Sequence, residues 1–428
     1  MSWEVVRLGG LLKNRDLRFK PSDPKIKGLK RIEKIDFSGN IYLSDKPSNT
    51  DMILVKKGDL VISGINVEKG AMAVYQGDND ITATIHYSSY EFDATKIDLD
   101  FLKSFLKSKK FTQALKEQVP GGIKTEIKPK HILPLEVEIP TEIEEQKIII
   151  KKFESKKVKV ESIDFEHTHQ LDFLRRLRQQ ILQDAIQGNL VPQDPNDEPS
   201  SVLLERIKAE KERLIREKKI KKEKPLPPIS SEEIPFEIPK NWVWSRFNIA
   251  ATIESNLVDP FKYPNHPHVA PDNIEKGTGK LMSFKTVKED NVISANHYFF
   301  PSQLIYSKVR PRLNKVVRID FEGLCSADMY PLKPLINPDY LLYCMLSSYF
   351  LSEVNKFDNR VKMPKINQNQ LSQILIPIPP DSEQKRIVAK IAILLKRCDE
   401  LEQTIQQNQK YTQELLQVAL KEALEPKN

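Results

Sequence analysis

A basic loop in the second half of the chain carries the residues best suited to bind another molecule. Residues 307–315 follow an apolar run typical of a strand and gather four cations around an asparagine. In the major groove of DNA, arginine pairs with guanine O6 and N7, and asparagine pairs with adenine N6 and N7. The loop therefore predicts DNA contacts by Lys308, Arg310, Arg312, Asn314 and Lys315.

Three further loops contain candidates of the same kind. Residues 63–70 are the first-half counterpart of the arginine loop, and residues 121–130 correspond to residues 359–365. Phosphate contacts and base contacts come from different residues, so we expect a mixture of both. The alternative is that these are ordinary solvated basic loops. The candidates are Asn66, Lys69, Lys124, Lys128, Lys130, Arg360, Lys362 and Lys365.

The motifs of catalysis are incomplete in this sequence. Residues 337–340, Asn-Pro-Asp-Tyr, are close to the Asn-Pro-Pro-Tyr loop of adenine methyltransferases, but their third residue differs and they look like a helix start. Residues 277–280 lack the spacing of a phosphate-binding loop. His266 and His268 have no carboxylate or cysteine at ligand spacing. We therefore predict no catalytic residue, metal site or bound cofactor in this chain.

The chain is duplicated at domain scale. Trp3 recurs as Trp242, 239 residues later, and the Glu-Gln-Lys run around Gln146 recurs around Gln384, 238 residues later. Such a period is far longer than the roughly 20–50 residues of solenoid repeats. Two equivalent domains suit the binding of two similar targets.

Composition limits the class of protein. The 428 residues carry 67 Lys+Arg against 59 Asp+Glu, a net charge of +8 that favours a polyanionic partner. Three cysteines without ligand spacing indicate a reducing compartment. The start of the chain does not look like a signal peptide, and no apolar run reaches the roughly 18 residues of a membrane span. We expect a cytoplasmic protein.

Each repeat begins with a mixed α+β domain and continues as a long helix. Short β-branched runs bounded by Gly, Asp and Pro predict strands, and one helix interrupts them at residues 100–118 and again at 339–357. The predicted boundaries are a first domain at 1–140, a helical spacer with a charged connector helix at 141–235, a second domain at 236–380 and a second helical spacer at 381–428.

Residues 141–187 and 381–425 contain no Gly or Pro, open with capping-box patterns and show alternating spacings of four and three. This pattern predicts an antiparallel coiled coil with internal pseudo-twofold symmetry; the alternative is two separate helices, each lying on its own domain. Buried amides in the seam, from Gln170 and Asn408, would select register. The seam residues are Ile149, Phe153, Val160, Ile163, His167, Gln170, Leu174, Leu177, Ile181, Ile387, Ile391, Leu394, Cys398, Leu401, Ile405, Asn408 and Leu415.

Between the repeats, a Pro-rich stretch at 188–199 stops the first long helix. A very charged helix is predicted next, at 200–224. Its cations could touch phosphates, although charge on an exposed helix is usually a solvated face.

The combined pattern resembles the specificity subunits of type I restriction-modification systems. Residues 177–195 are similar to the first conserved region of that family, and residues 238–246 are similar to the entry of its second target-recognition domain. This chain departs from the family in beginning at Trp3 without a Pro-rich lead-in and in its long connector helix.

The resemblance implies two target-recognition domains, held apart by an antiparallel helical spacer, that each read one half of an interrupted, asymmetric site in double-stranded DNA. It implies two modification subunits docked on the spacer, with restriction and translocase subunits added. S-adenosylmethionine, ATP and Mg²⁺ would then belong to those partners. Two other readings are a stand-alone bivalent DNA-binding protein and a coiled-coil scaffold whose domains bind protein.

Overall fold

The structure is a computed structural model that describes residues 2–65, 70–118, 126–217, 225–357 and 364–425. The chain divides into two compact units. Unit 1 comprises Met1–His169 and Ile405–Asn428, and unit 2 comprises Gln170–Thr404. Each unit therefore contains one mixed domain and parts of both long helices. No helix in the described part of the chain has the length and hydropathy needed to cross a bilayer.

The first domain, in unit 1, is built from short strands and four short helices. Its strands are β1 (Trp3–Arg7), β2 (Leu12–Asn14), β3 (Arg18–Phe19), β4 (Arg31–Ile35), β5 (Ile41–Ser44), β6 (Met52–Val55), β7 (Leu60–Ser63), β8 (Met72–Val74), β9 (Ile81–Thr84), β10 (Tyr87–Phe92) and β11 (Glu136–Pro140). Its helices are α1 (Leu8–Leu11), α2 (Leu99–Leu106), α3 (Lys109–Gln118) and α4 (Pro129–Ile132).

Two helices lie between the domains in sequence, and a third follows the second domain. They are α5 (Ile143–Gln187), α6 (Ser200–Arg216) and, after the second domain, α11 (Asp381–Ala423). The predicted connector helix is α6. It buries Leu204, Ile207 and Leu214, and the Lys211 Nζ atom donates to the Asn248 carbonyl at 2.8 Å. Lys211, one of the cations that could have touched phosphates, therefore holds this helix against the second domain.

The second domain, in unit 2, repeats the architecture of the first. Its strands are β12 (Val243–Arg246), β13 (Ala251–Ile253), β14 (Leu257–Val258), β15 (Pro267–Val269), β16 (Lys285–Thr286), β17 (Asn296–Phe299), β18 (Leu304–Ser307), β19 (Val316–Arg318), β20 (Gly323–Cys325), β21 (Met329–Pro334) and β22 (Leu375–Ile378). Its helices are α7 (Phe247–Ala250), α8 (Pro338–Leu346), α9 (Ser348–Asn355) and α10 (Gln368–Gln373).

Strand order confirms the duplication. The first domain has sheets ordered β1-β11, β2-β10-β7-β8 and β3-β6-β9-β4-β5. The second has β12-β22, β13-β21-β18-β19 and β14-β17-β20-β15-β16, which is the same order with eleven added to every strand number. Even the parallel pair is repeated, as β4 with β9 and as β15 with β20. Two copies of one topology therefore present their loops from equivalent positions.

The single helix predicted inside each domain is wrong in one respect, because each is broken into two. Ser108 separates α2 from α3, and its hydroxyl accepts a hydrogen bond from the Phe111 N–H at 3.2 Å. Ser347 separates α8 from α9 and accepts from the Phe350 N–H at 3.2 Å. A serine that caps a new first turn ends the preceding helix in both copies.

The long helices exist as predicted, with 45 residues in α5 and 43 in α11. In unit 1, the beginning of α5 and the end of α11 share a core with the first domain, where Phe153 lies in one cluster with Ala419 and Leu420. In unit 2, Arg178 of α5 bonds Asp399 and Glu402 of α11, at 2.5 and 2.7 Å. The beginning of one helix thus pairs with the end of the other, which is the antiparallel sense.

Only one of the two predicted apolar stripes is buried. Every seventh residue lies inside, at Phe153, Val160, His167, Leu174 and Ile181 of α5 and at Ile391, Cys398, Ile405, Thr412 and Ala419 of α11. Ile149 and Ile387 are buried at the domain ends, whereas Gln170 and Leu394 are half-buried.

The second stripe is where the seam prediction is wrong. Ile163, Leu177, Leu401 and Leu415 are 46%, 46%, 52% and 55% exposed, and Asn408 is also exposed. When only two helices pack together, each helix buries the stripe of residues that faces its partner. The neighbouring stripe lies at the edge of this contact and stays accessible to solvent. Asn408 is consequently no buried amide.

Candidate nucleic-acid interface

The arginine loop of the second domain has an unusual backbone. It leaves β18 at Ser307 and makes a short 3₁₀ turn at Pro311–Leu313. Arg310 and Asn314, on either side of the turn, adopt left-handed conformations with φ of 49° and 44°. Non-glycine residues held in this region cost of order 1–3 kcal/mol and cluster at functional sites.

A clasp of backbone hydrogen bonds holds the base of this loop. The Lys308 N–H donates to the Asp328 carbonyl, and its own carbonyl accepts from the Ile366 N–H, both at 3.0 Å. The Lys365 Nζ atom bonds the Asp328 carboxylate at 3.0 Å across the same clasp. Three chain segments therefore meet at the base of the loop and fix where it points.

Several predicted DNA-binding residues turn inward and support the loop. Lys308 Nζ donates to the Ala327 carbonyl at 2.6 Å, and Lys315 Nζ donates to the Pro271 carbonyl at 2.7 Å. The Asn314 amide, which is 5% exposed, donates to the Met345 carbonyl at 3.0 Å. Lys365 is paired with Asp328. These groups already have partners inside the domain, so the prediction that they read DNA directly loses its geometric support.

Arg310 and Arg312 are the exposed candidates of this loop. Both are exposed, and the Arg310 guanidinium forms no ion pair among the residues that the structure describes. The Arg310 N–H donates to the Pro364 carbonyl at 2.9 Å, so its backbone is fixed while its side chain extends into solvent. An anchored backbone with an extended guanidinium suits recognition of a guanine edge or a phosphate.

The first domain has an equivalent clasp with different chemistry. The Gly64 N–H donates to the His86 carbonyl, and the Gly64 carbonyl accepts from the Ile127 N–H, both at 2.8 Å. His86 Nδ1 and the Glu126 carboxylate lie 2.8 Å apart where the second domain has Asp328 and Lys365. A Cβ atom at Gly64 would lie 2.6 Å from the Ile127 carbonyl oxygen, which explains the glycine.

Five of the predicted contacts fall outside the described residues, namely Asn66, Lys69, Lys124, Arg360 and Lys362. Lys128 and Lys130 are described, and both are exposed around α4. The pKa of the neighbouring His131 is lowered by burial and by these two lysines, so this edge of the first domain favours an anion.

Sequence reasoning missed the function of the glutamine in each Glu-Gln-Lys run. Gln384 is buried; its Oε1 accepts from the Asn337 N–H and its Nε2 donates to the Pro379 carbonyl, both at 2.9 Å. Gln146 makes the equivalent bonds to Asp98 and Pro140, at 2.7 and 2.9 Å. The capping box predicted between Asp381 and Gln384 does not form through the Gln384 carboxamide. Both glutamines tie each domain to its long helix instead. The exact recurrence of this run was the available signal.

A neighbouring contact completes what we call the second joint, formed by Trp242, Glu383 and Gln384. The Trp242 indole N–H donates to the Glu383 carboxylate at 2.8 Å, and the Gln193 amide donates to its other oxygen at 2.5 Å. Burial raises the pKa of Glu383 above its usual value. The equivalent residues Trp3, Glu145 and Gln146 form the first joint.

The fragments of catalytic motifs have structural functions. The Asn337 side chain caps α8, accepting from the Asp339 and Tyr340 N–H groups, as the sequence predicted of a helix start. His268 Nδ1 lies 2.7 Å from the Asp290 carboxylate. Within the described ranges, no group of three His, Cys, Asp or Glu side chains is arranged to hold a metal ion.

The duplicated domains, the unlike loops and the paired long helices together define a protein with two equivalent domains joined by long helices. The family model described as "Type I restriction modification DNA specificity domain" matches residues 251–409. The EcoDI specificity subunit of the type I restriction enzyme from Escherichia coli is 35% identical over 321 residues, covering 74% of this chain and 67% of the relative. The chain belongs to the family of type I restriction-modification specificity subunits.

Two further similarities agree with this assignment. The EcoAI specificity subunit from Escherichia coli is 34% identical over 265 residues, covering 58% of this chain but only 44% of the relative. One solved structure comes from a study of complex assembly and conformational transition of a type I R-M system. Its alignment with this chain covers 99% of this chain and 97% of the solved chain. Its TM-score is 0.61 at 17% identity, so it supports the fold.

Proposed function

We propose that the chain is the non-catalytic DNA-reading subunit of a type I restriction-modification complex acting in the cytoplasm. Each domain reads one half of a bipartite, asymmetric site in double-stranded DNA. The observation that carries this proposal is an identical strand order in two domains whose equivalent loops differ in chemistry. A duplicated scaffold with unlike loops is suited to two unlike half-sites.

Readout in the second domain is assigned to Arg310 and Arg312, which extend from a fixed turn. Such side chains can form bidentate pairs with guanine, each discriminating by about 1–3 kcal/mol. In the first domain, the exposed Lys128 and Lys130 are assigned to phosphates, which position the protein without reading sequence. Lys308, Asn314, Lys315 and Lys365 act indirectly by shaping the arginine loop.

The long helices are proposed to dock two modification subunits. Both helices expose several large apolar side chains, and exposed apolar surface is suited to a protein interface. In this proposal the partners supply S-adenosylmethionine chemistry, and restriction subunits supply ATP- and Mg²⁺-dependent translocation and cleavage. The residues concerned are Val158, Ile163, Phe165, Phe173, Leu177, Ile393, Leu401, Tyr411, Leu415 and Val418, each at least 46% exposed.

Selection of bound sequences from a random duplex pool tests the proposal. The chain co-purified with its modification subunit should enrich two defined blocks separated by a fixed gap, and binding should weaken steeply with salt. Equal enrichment by the chain without that subunit would favour a stand-alone DNA-binding protein. Salt-insensitive binding without enrichment would favour a protein scaffold.

A further inference from the structure

The second joint is closed by the segment between α5 and α6, residues 188–199, which contains a turn at 194–197. We call this segment the connector, as distinct from the connector helix α6. Gln193 of the connector donates to Glu383, and Asp197 pairs with Arg386 at 2.6 Å. Under this cover Trp242 is 4% exposed and Glu383 is fully buried. The connector therefore supplies a donor to the Glu383 oxygen that does not bond the Trp242 indole.

The first joint has the equivalent residues and the equivalent glutamine bonds, without that cover. Glu145 stands where the second joint has Glu383, and its Oε2 atom is buried but accepts no hydrogen bond from any described residue. One helical turn further along α5, a groove of about 830 Å³ is lined by Trp3, Ile148, Lys151 and Lys152 together with the end of α11, and Glu145 is not part of that lining. Ile148, at the position of Arg386, is 45% exposed. A buried carboxylate oxygen without a donor is costly, so the first joint lacks, among the described residues, a hydrogen bond that the second joint has.

Charge indicates what the groove accepts. Lys151 and Lys152 are exposed and form no ion pair within the described parts of the chain. The two acidic residues of the groove lining, Glu422 and Glu425, are paired with Lys156 and Lys421 at 3.7 and 3.9 Å. The connector has three acidic residues, Asp194, Asp197 and Glu198, and no basic residue between positions 188 and 199. An acidic peptide of the connector's kind would thus be electrostatically complementary to the groove.

We propose that the groove of the first joint binds an extended acidic segment of a partner polypeptide, in the way the second joint holds the connector. The segment would lay an apolar side chain on Trp3 and Ile148 and direct carboxylates toward Lys151 and Lys152. This binding does not depend on DNA recognition.

A labelled peptide with the sequence of residues 188–199, added to the full chain and followed by fluorescence anisotropy, tests the proposal without DNA. Ile148→Arg copies Arg386 into the first joint. It should tighten binding about tenfold, the effect of one charge-assisted hydrogen bond. A peptide carrying Asp197→Asn should lose that gain, which excludes a nonspecific effect of added charge.

Two further variants complete the test. Lys151→Glu combined with Lys152→Glu should weaken peptide binding at least about tenfold at low salt, because both proposed cation partners are reversed. Arg386→Ala should leave binding unchanged, since it alters the other joint. The proposal is overturned if no variant binds the peptide, or if Arg386→Ala abolishes binding while Ile148→Arg has no effect.

Discussion

The buried carboxamide of Gln384 is hydrogen-bonded to the backbone N–H of Asn337 at 2.9 Å, which joins the start of α11 to the cap of α8. Gln146 repeats this bond with Asp98 in the other unit. Each carboxamide also bonds the residue that ends its domain's last strand or follows it. One glutamine therefore fixes the direction in which each long helix leaves its domain.

We predict that Gln384→Met lowers the thermal stability of the chain. The substitution keeps side-chain volume but leaves the Asn337 N–H and the Pro379 carbonyl without this partner, at about 1–3 kcal/mol for each group. Differential scanning calorimetry measures the effect. Gln407→Met, at an exposed position on the same helix, is the matched control and should change little. Equal melting temperatures for the two variants would contradict the prediction.

The first domain should be the acid-sensitive one. Asp59 is 1% exposed; burial opposes its ionisation, but hydrogen bonds from Arg15, the Lys56 N–H and Ser89 outweigh burial and lower its pKa. A lowered folded-state pKa contributes stability above the unfolded value of 3.8, and that stability is lost as the pH falls through the folded value. The second domain has Glu254 and Gln303 at the equivalent positions, joined at 2.6 Å.

Hydrogen exchange at decreasing pH, corrected for intrinsic rates, checks this difference. Protection of β7, beside Asp59, should fall below pH 4 before that of the equivalent strand β18. Asp59→Asn should make the hydrogen-exchange protection of the first domain depend less on pH in this acid range, because the substitution removes the titrating carboxylate. If the variant lost protection with falling pH as the wild-type chain does, other groups would control the acid stability of this domain.

Leu401→Ser combined with Leu415→Ser should leave the isolated chain stable and impair its assembly. Both side chains are more than half exposed, so little packing is removed within the chain, whereas a docked subunit would cover them. Phe153→Ala, at a buried position, should instead cost about 3–5 kcal/mol. Melting temperature and co-purification with the modification subunit separate the two effects. Retention of the subunit by the double variant would remove this stripe from the docking surface.

Lys128→Ala and Lys130→Ala should weaken binding to all duplexes alike. Removing one lysine–phosphate pair should reduce the slope of log K against log salt by about 0.9. Titrations of a selected and a scrambled duplex at several salt concentrations measure that slope. Lys421→Ala, an exposed change at the end of α11, is the control. If the two loop variants alter sequence preference while keeping the wild-type salt slope, the assignment to phosphates is wrong.

The spacing of recurring residues in the sequence predicted the two domains and the long helices well, because both features repeat along the chain. The recurrence of Trp3 as Trp242 located two domains that have the same strand order, and the heptad spacing located the buried row containing Phe153 and Ile391. Spacing could not show that Leu401 and Leu415 lie outside. Heptad periodicity marks two candidate stripes, and the packing of the partner helix decides which one is covered.

The sequence could not predict which cations of the arginine loop point into the domain and which point into solvent. Lys308 and Lys315 are adjacent to the two outward arginines, yet they bond carbonyls of Ala327 and Pro271. Those carbonyls are delivered by segments distant in sequence, so local composition carries no sign of them. The duplicated glutamines were missed because their partners, the Asn337 N–H and the Pro379 carbonyl, are backbone groups.

Mapping the methylated bases in DNA modified by the assembled complex tests most directly whether the two domains read separate half-sites. The wild-type chain should give a motif of two defined blocks with a constant gap. A chain carrying Arg310→Ala and Arg312→Ala should relax one block and leave the other block and the gap unchanged. A single continuous motif, or simultaneous change of both blocks, would contradict the account.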